Sequence, residues 1–112
     1  MSLQFDDYQK QALTTAKFTD DELKDIMHWV LGVTGEAGEI AEKVKKIIRD
    51  KEGVFSEDDK VELAKEIGDV LWYLATLAHQ LGASFDDIAA GNLAKLKSRK
   101  ERGVIGGSGD NR

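Results

Sequence analysis

Gly35-Glu36-Ala37-Gly38-Glu39 and Lys65-Glu66-Ile67-Gly68-Asp69 each carry two carboxylates three residues apart, and 26 residues separate Glu39 from Glu66. On a helix, positions i and i+3 are neighbours on one face. Each pair therefore aims at one point beside its own helix. If the two helices pack antiparallel, the pairs meet as four carboxylates around one small volume. Like charges repel strongly in a partly dry site, so a cation is expected between them. A ligand set made only of oxygen, without His or Cys, suits a hard divalent ion such as Mg²⁺ or Mn²⁺.

The spacing is a weak signal on its own, because exposed helix faces hold many such pairs. Its setting strengthens it. Ala37 and Gly38 leave room beside Glu36 and Glu39 for another backbone or a ligand. Glu66 and Asp69 flank Gly68 within the most apolar helical stretch, where a solvated pair is less expected. Lys43 lies one turn beyond Glu39 and reads either as an i,i+4 ion pair or as a phosphate contact. Tyr73 lies one turn beyond Asp69 and reads either as core or as a ligand contact. Glu62 and Glu42 read as surface acids. Trp29 and Trp72 read as core or interface anchors, and His28 and His79, lacking ligand spacing, as structural.

The 112 residues are enough for one small domain. A net charge of −5 disfavours general nucleic-acid affinity, which needs a basic field. The charge is uneven. Lys95, Lys97, Arg99, Lys100 and Arg102 gather late in the chain with only Glu101 against them, a cluster suited to holding an anion. There is no cysteine, so neither a disulfide nor a thiol site is available, and a reducing cytoplasm is the expected location. The stretch Met1 to Lys10 is polar and acidic, unlike a signal peptide. The longest charge-free run, Val70 to Phe85, has 16 residues and includes Thr76, His79 and Gln80. A spanning helix needs roughly 18 or more strongly apolar residues, so no membrane segment is expected.

Proline is absent, leaving glycine and caps to punctuate the helices. The pattern predicts a first helix from Phe5 to Lys17. Thr19-Asp20-Asp21-Glu22 predicts a capping box with Thr19 as N-cap. Leu23, Met27, Val30, Ala37, Ile40, Ala41, Val44 and Ile48 form the stripe of a second helical region ending near Asp50, with Gly53 as its stop. Gly32, Gly35 and Gly38 interrupt that region at roughly 1 kcal/mol each relative to Ala. Either the helix breaks near Thr34, placing Glu36 in a first turn, or the glycines permit close packing. Ser56-Glu57-Asp58-Asp59 opens a third helix with Val61, Ala64, Ile67, Val70, Leu71, Leu74, Leu77, Ala78 and Leu81 as its stripe, terminated at Gly82. Ser84-Phe85-Asp86-Asp87 opens a fourth, Asp86 to about Lys100, with Ile88, Leu93 and Leu96 as its buried residues. No segment reads as a strand, and the fold class is all-α, a helical bundle. Residues 103–112 hold four glycines and no helical pattern, and read as a glycine-rich tail following a domain at 1–102, either loose or folded over the acidic site.

The two acidic stretches together resemble the E-x-x-E…E-x-x-D signature of the all-α nucleoside triphosphate pyrophosphohydrolases, and the chain is similar to the MazG-like branch. The resemblance takes in Tyr8-Gln9, Gly35 to Lys46, Ala64 to Leu77, Asn92-Leu93-Ala94-Lys95-Leu96, Arg102-Gly103 and Gly107-Ser108-Gly109-Asp110-Asn111-Arg112. It implies a four-helix bundle assembling as a homodimer or a dimer of dimers. It also implies Mg²⁺-dependent hydrolysis of (deoxy)nucleoside triphosphates to monophosphate and pyrophosphate in nucleotide-pool sanitation, with Mn²⁺ as a substitute ion. By that resemblance Glu36, Glu39, Glu66 and Asp69 match metal-binding positions, with Glu36 or Glu39 activating water. Tyr73 matches a nucleotide-contacting position. Asn92, Lys95 and Arg99 fall where polar contacts to phosphate or sugar arise, and Lys43 joins them as a phosphate contact. More distant relatives end this region with Arg-Tyr-Pro. Here Arg102-Gly103-Val104 stands instead, so those C-terminal contacts do not transfer.

Two rivals have different consequences. A non-catalytic helical interaction module predicts no Mg²⁺-dependent thermal shift and no pyrophosphate release. The same fold acting on phosphoribosyl-ATP predicts activity on that substrate in a nucleotide panel. A redox di-metal bundle usually brings Glu-x-x-His pairs, and neither His here follows a Glu at that spacing.

Overall fold

The computed structural model describes residues 4–112, so residues 1–3 of the expected domain lie outside the described residues. Four helices follow in order, α1 (Phe5–Leu13), α2 (Glu22–Lys51), α3 (Glu57–Gln80) and α4 (Phe85–Glu101). No strand occurs among the described residues. The long α2 and α3 form an antiparallel pair. α1 and α4 pack on α3 and on each other, and neither packs on α2.

The ends of the helices carry their own causes. Ser56 accepts from the Asp59 amide at 3.1 Å while Asp59 accepts from the Ser56 amide at 2.9 Å, a complete capping box. Ser84 caps α4 by accepting from the Asp87 amide. The start of α2 differs from expectation. Asp21, not Thr19, is the N-cap and accepts from the Lys24 amide at 3.0 Å. Thr19 instead donates its hydroxyl to Asp25 at 2.7 Å and its amide to the same carboxylate at 2.8 Å. That exchange folds the preceding loop onto α2 and buries Asp25. α1 also stops sooner than expected, at Leu13, because the Thr14 and Thr15 hydroxyls turn back onto the Gln11 and Ala12 carbonyls.

The second helical region does not break at Thr34. α2 runs unbroken through all three glycines, so Glu36 sits mid-helix rather than in a first turn. Gly32 supplies the close packing. A Cβ there would fall 2.2 Å from the Tyr73 ring, so only glycine lets α3 lay that ring on the α2 backbone. α2 ends where Glu52 and Gly53 turn left-handed.

The core joins α1, α3 and α4. Ala12, Ala75, Ala78 and Phe85 are buried, with Tyr8, Leu71, Trp72 and Ala83 against them. Gln9 ties the three helices, donating to the Ala75 and Ala83 carbonyls and accepting from the Phe85 amide. Trp72 donates to the Ala12 carbonyl and the Thr15 hydroxyl, and Trp29 to Gln80, so both indoles are anchors, as expected. Phe18 lies tilted against Trp29, and His28 meets Trp29 and His79 meets Phe18 edge-on.

The predicted stripes are not all covered. Leu23, Met27, Val30 and Ile48 of α2, Val61, Ile67 and Leu74 of α3, Leu81 at its C-cap, and Ile88, Leu93 and Leu96 of α4 are exposed. Phe85 and Arg99 are the buried residues of α4, in place of the three expected aliphatics. The apolar period is correct for helices, but a single chain offers these faces nothing to pack on. The radius of gyration, 17.1 Å, accordingly exceeds the roughly 13 Å of a compact chain this long. Residues 103–112 form an organised loop. Arg112 reaches back to backbone carbonyls of residues 104–109, and Asp110 pairs with α4.

Candidate metal centre

The register of α2 against α3 is set by pairs along its length. Trp29 meets Gln80 at 3.0 Å, Gly32 receives Tyr73, and Lys51 meets Asp59 at 2.8 Å. Between these pins the antiparallel run brings Glu36 opposite Glu66 and Asp69. One carboxylate oxygen from each of these three acids lies within 4.8 Å of the others. Glu36 and Glu66 are half-buried and Asp69 is exposed. The expected convergence of acids from two distant stretches is therefore present for three of the four.

The electrostatics agree with that crowding. Partial burial holds the Glu36 carboxyl above the ordinary glutamate range, and the charges and proximity of Asp69, Glu66 and Glu39 push it further the same way. The group is short of positive charge. Oxygens sharing one octahedral ion at Mg²⁺ bond lengths stand about 3–4 Å apart. The three carboxylates need only a small side-chain closure to match that, and an all-carboxylate donor set is the chemistry a hard divalent cation takes.

Glu39 stands outside the three-acid group. It is exposed, one turn further along α2, and acts on Glu36 through its charge. Lys43 does not pair within α2 but crosses to α3, with its Nζ 3.9 Å from Glu66 Oε1. Lys46 pairs with Glu42, and Glu62 with Lys65, as surface residues do. Tyr73 lies over Gly32 and between His28, Trp29 and Trp72, one helical turn beyond Asp69. Asn92 is exposed and borders an apolar hollow lined by Phe5, Leu71, Leu74, Phe85, Ile88 and Leu93. Lys95 and Arg99 converge on Asp110, Lys95 at 2.7 Å and Arg99 at 3.2 Å from its Oδ1. Of the nine residues, Glu36, Glu66 and Asp69 form an acid centre bridged by Lys43, Lys95 and Arg99 form a separate cationic pair held by the C-terminal loop, and Glu39, Tyr73 and Asn92 join neither group.

One neighbour of the centre had no chemical role assigned from sequence. Burial raises the Tyr8 phenol above its ordinary value, and the Asp69 charge adds to the effect, so Tyr8 lies within the field of the acids. An aromatic on a short first helix gives no spacing relation to acids some 60 residues away, so only the tertiary packing exposes the link.

A family profile described as the MazG nucleotide pyrophosphohydrolase domain matches residues 21–104. The chain belongs to the MazG family. The matched span contains both acidic stretches and leaves residues 105–112 outside it. The Gene 37 protein of Mycobacterium phage L5 is 49% identical over 111 residues, covering 96% of this chain and 97% of the phage protein. No solved structure matches. Within the MazG frame, the acid centre lies on α2 and α3, which the matched span covers in full together with α4.

Proposed function

We propose that this MazG protein is a nucleoside triphosphate pyrophosphohydrolase that acts with Mg²⁺, with Mn²⁺ as a substitute. The observation that carries this reading is the meeting of Glu36, Glu66 and Asp69 across α2 and α3. These three residues would hold the divalent ion. When bound, the ion neutralises phosphate charge and makes a nearby water more acidic.

The chain's own groups divide the remaining work. Glu39 is not engaged with the other acids and stays available, so it takes the proton of the attacking water. The water oxygen bonds to the α-phosphorus, the bond to the bridging oxygen breaks, and pyrophosphate leaves with that electron pair. Lys43 gives up Glu66 to the ion and turns to the phosphates. Lys95 and Arg99 supply positive charge for the leaving group, and Tyr73 and Asn92 contact the nucleoside. Removal of unwanted nucleotides from the pool fits such a reaction.

The working unit is a homo-oligomer, a dimer or a dimer of dimers. Leu23, Met27, Val30 and Leu31 leave the first half of α2 open, and Leu93 and Leu96 do the same on α4. Contiguous apolar faces of this kind are covered by a partner in stable proteins. A second copy carries matching faces. No helix among the described residues is long and apolar enough to cross a membrane, and a cysteine-free chain suits the reducing cytoplasm.

The test is pyrophosphate release from ordinary and modified triphosphates, with and without Mg²⁺. Glu66→Gln should remove both turnover and the Mg²⁺-dependent thermal shift. Glu39→Gln should lower turnover by about 10²-fold or more while keeping that thermal shift and the helical circular dichroism. Unchanged turnover in Glu39→Gln removes it from the reaction. Absence of any Mg²⁺ effect on the wild type overturns the enzymatic reading.

A further inference from the structure

Lys95 and Arg99 stand one turn apart on α4 and converge on a single carboxylate oxygen. Asp110 Oδ1 lies 2.7 Å from Lys95 Nζ and 3.2 Å from Arg99 Nη2. The other oxygen, Asp110 Oδ2, accepts from no group among the described residues. Arg99 is 6% exposed, and its Nε has no acceptor among the described residues. A buried N–H left without a partner is costly, so Asp110 leaves this guanidinium under-supplied with anionic oxygen. The neighbourhood is short of negative charge as well. From residue 95 onward there are six basic residues against two acidic ones, in a chain of net charge −5.

The loop does not need the Asp110 carboxylate to keep its shape. The Val104 amide donates to the Arg99 carbonyl at 2.8 Å. Arg112 donates to the carbonyls of Val104, Ile105, Gly106 and Gly109, and Arg102 to the Arg112 carbonyl at 2.9 Å. Arg99 Nη2 also holds the Asp110 backbone carbonyl. The backbone at residue 110 is therefore fixed by other groups. Its side chain is 75% exposed, and rotation about Cα–Cβ carries the carboxylate into solvent. Lys95, and after it Arg99, hold the Asp110 carboxyl below the ordinary aspartate range, so it is charged at neutral pH and competes with any other anion there.

We infer that Asp110 is a built-in competitor, whose carboxylate closes the Lys95–Arg99 pair to external anions and yields it to a phosphoryl group by turning out to solvent. A phosphoryl group displaces it because it brings more negative charge, and several oxygens where Asp110 engages one. A monoanion has no such advantage, so the contact discriminates by ligand charge. The inference rests on the reading of Lys95 and Arg99 as the charges that meet the leaving group. It adds that the pair is self-occupied and must be vacated before it serves.

Inorganic pyrophosphate titrated calorimetrically into the full-length protein without divalent metal tests it. Asp110→Asn keeps the shape and the backbone contacts and removes the charge. It should bind pyrophosphate about three- to tenfold more tightly than the wild type, with unchanged helical circular dichroism. In a Lys95→Gln background the same change should gain less, because one of the two contested cations is gone. Weaker or unchanged binding in Asp110→Asn would overturn the inference and make Asp110 a residue that only positions the pair. A gain that persists in full in Lys95→Gln would overturn it too, since the effect would then be one of overall charge. The wild type gives a check that needs no variant at residue 110. The Asp110 side-chain carboxyl signal in ¹³C nuclear magnetic resonance should move saturably with pyrophosphate, and a signal unmoved at saturation would sink the displacement. Unchanged pyrophosphate binding in Asp110→Asn with Mg²⁺-dependent hydrolysis intact removes only the competitor. Tighter binding in that variant without any hydrolysis keeps the competitor and removes the enzymatic reading.

Discussion

Lys43 Nζ lies 3.9 Å from Glu66 Oε1, crossing from α2 to α3 at the edge of the acid centre. The lysine partly discharges a group that is otherwise all carboxylate, so it competes with a divalent ion for the same oxygens. Lys43→Gln should therefore tighten Mg²⁺ binding, by between about two- and fivefold for a pair this exposed to solvent. The same change removes a phosphate contact, so KM for the triphosphate should rise. Calorimetric Mg²⁺ titration and steady-state kinetics read the two effects separately. A variant that weakens both would make Lys43 a structural clamp instead.

Gly32 and Tyr73 make a second crossing of the same interface. A methyl group on Gly32 would fall 2.2 Å from the Tyr73 ring, and Trp29, Trp72 and His28 leave the ring little room to retreat. Gly32→Ala gains roughly 1 kcal/mol of helix propensity. It faces an overpacking cost of about 1–3 kcal/mol. The expected outcome is a net loss of stability in denaturant melts. Gly35→Ala and Gly38→Ala, where nothing lies within 4 Å of the added atom, should instead be stabilising.

The helical period and the Ser56 and Ser84 caps are legible because each depends on residues a few positions apart, and the pairing of the acidic stretches because two consecutive long helices joined by a short loop pack antiparallel. Thr19 was misread because two capping frames overlap there, Thr19 to Glu22 and Asp21 to Lys24, and the choice is settled by Asp25, six residues from Thr19. Leu93 and Leu96 were legible as apolar helix positions but not as exposed ones, since periodicity does not say whether the covering surface belongs to the same chain. Arg112 gave no signal because its partners are backbone carbonyls, which every residue carries. The relation of Tyr8 to Asp69 exists only once α1 lies on α3.

Asp59 gives a pH dependence with a definite sign. The Lys51 ammonium, with the Ser56 amide, holds its carboxyl down to about 2 from an ordinary 3.8. A depressed carboxyl stabilises the fold above its unfolded value and loses that contribution as pH falls from about 4 to about 2. Asp59→Asn should lower Tm at neutral pH and flatten its fall across that acid window. Parallel acid titrations of Tm check this, and an unchanged slope would remove the pair from the acid response.

Gln9 is the sharpest test of how α1, α3 and α4 are joined. It is 7% exposed, gives its amide hydrogens to the Ala75 and Ala83 carbonyls, and takes the Phe85 amide at 3.1 Å. That last amide opens α4 and has no partner within its own helix. Gln9→Leu keeps the volume but strands the Phe85 amide, so a loss of about 2–3 kcal/mol is expected. Gln9→Glu should be worse at neutral pH, because a carboxylate oxygen would then face two carbonyls. Protonation restores a donor there, so part of the loss should return on mild acidification. Urea melts of both variants at neutral and mildly acidic pH decide it. Equal losses for the two at every pH would mean that packing, rather than the hydrogen bonds of Gln9, holds the three helices together.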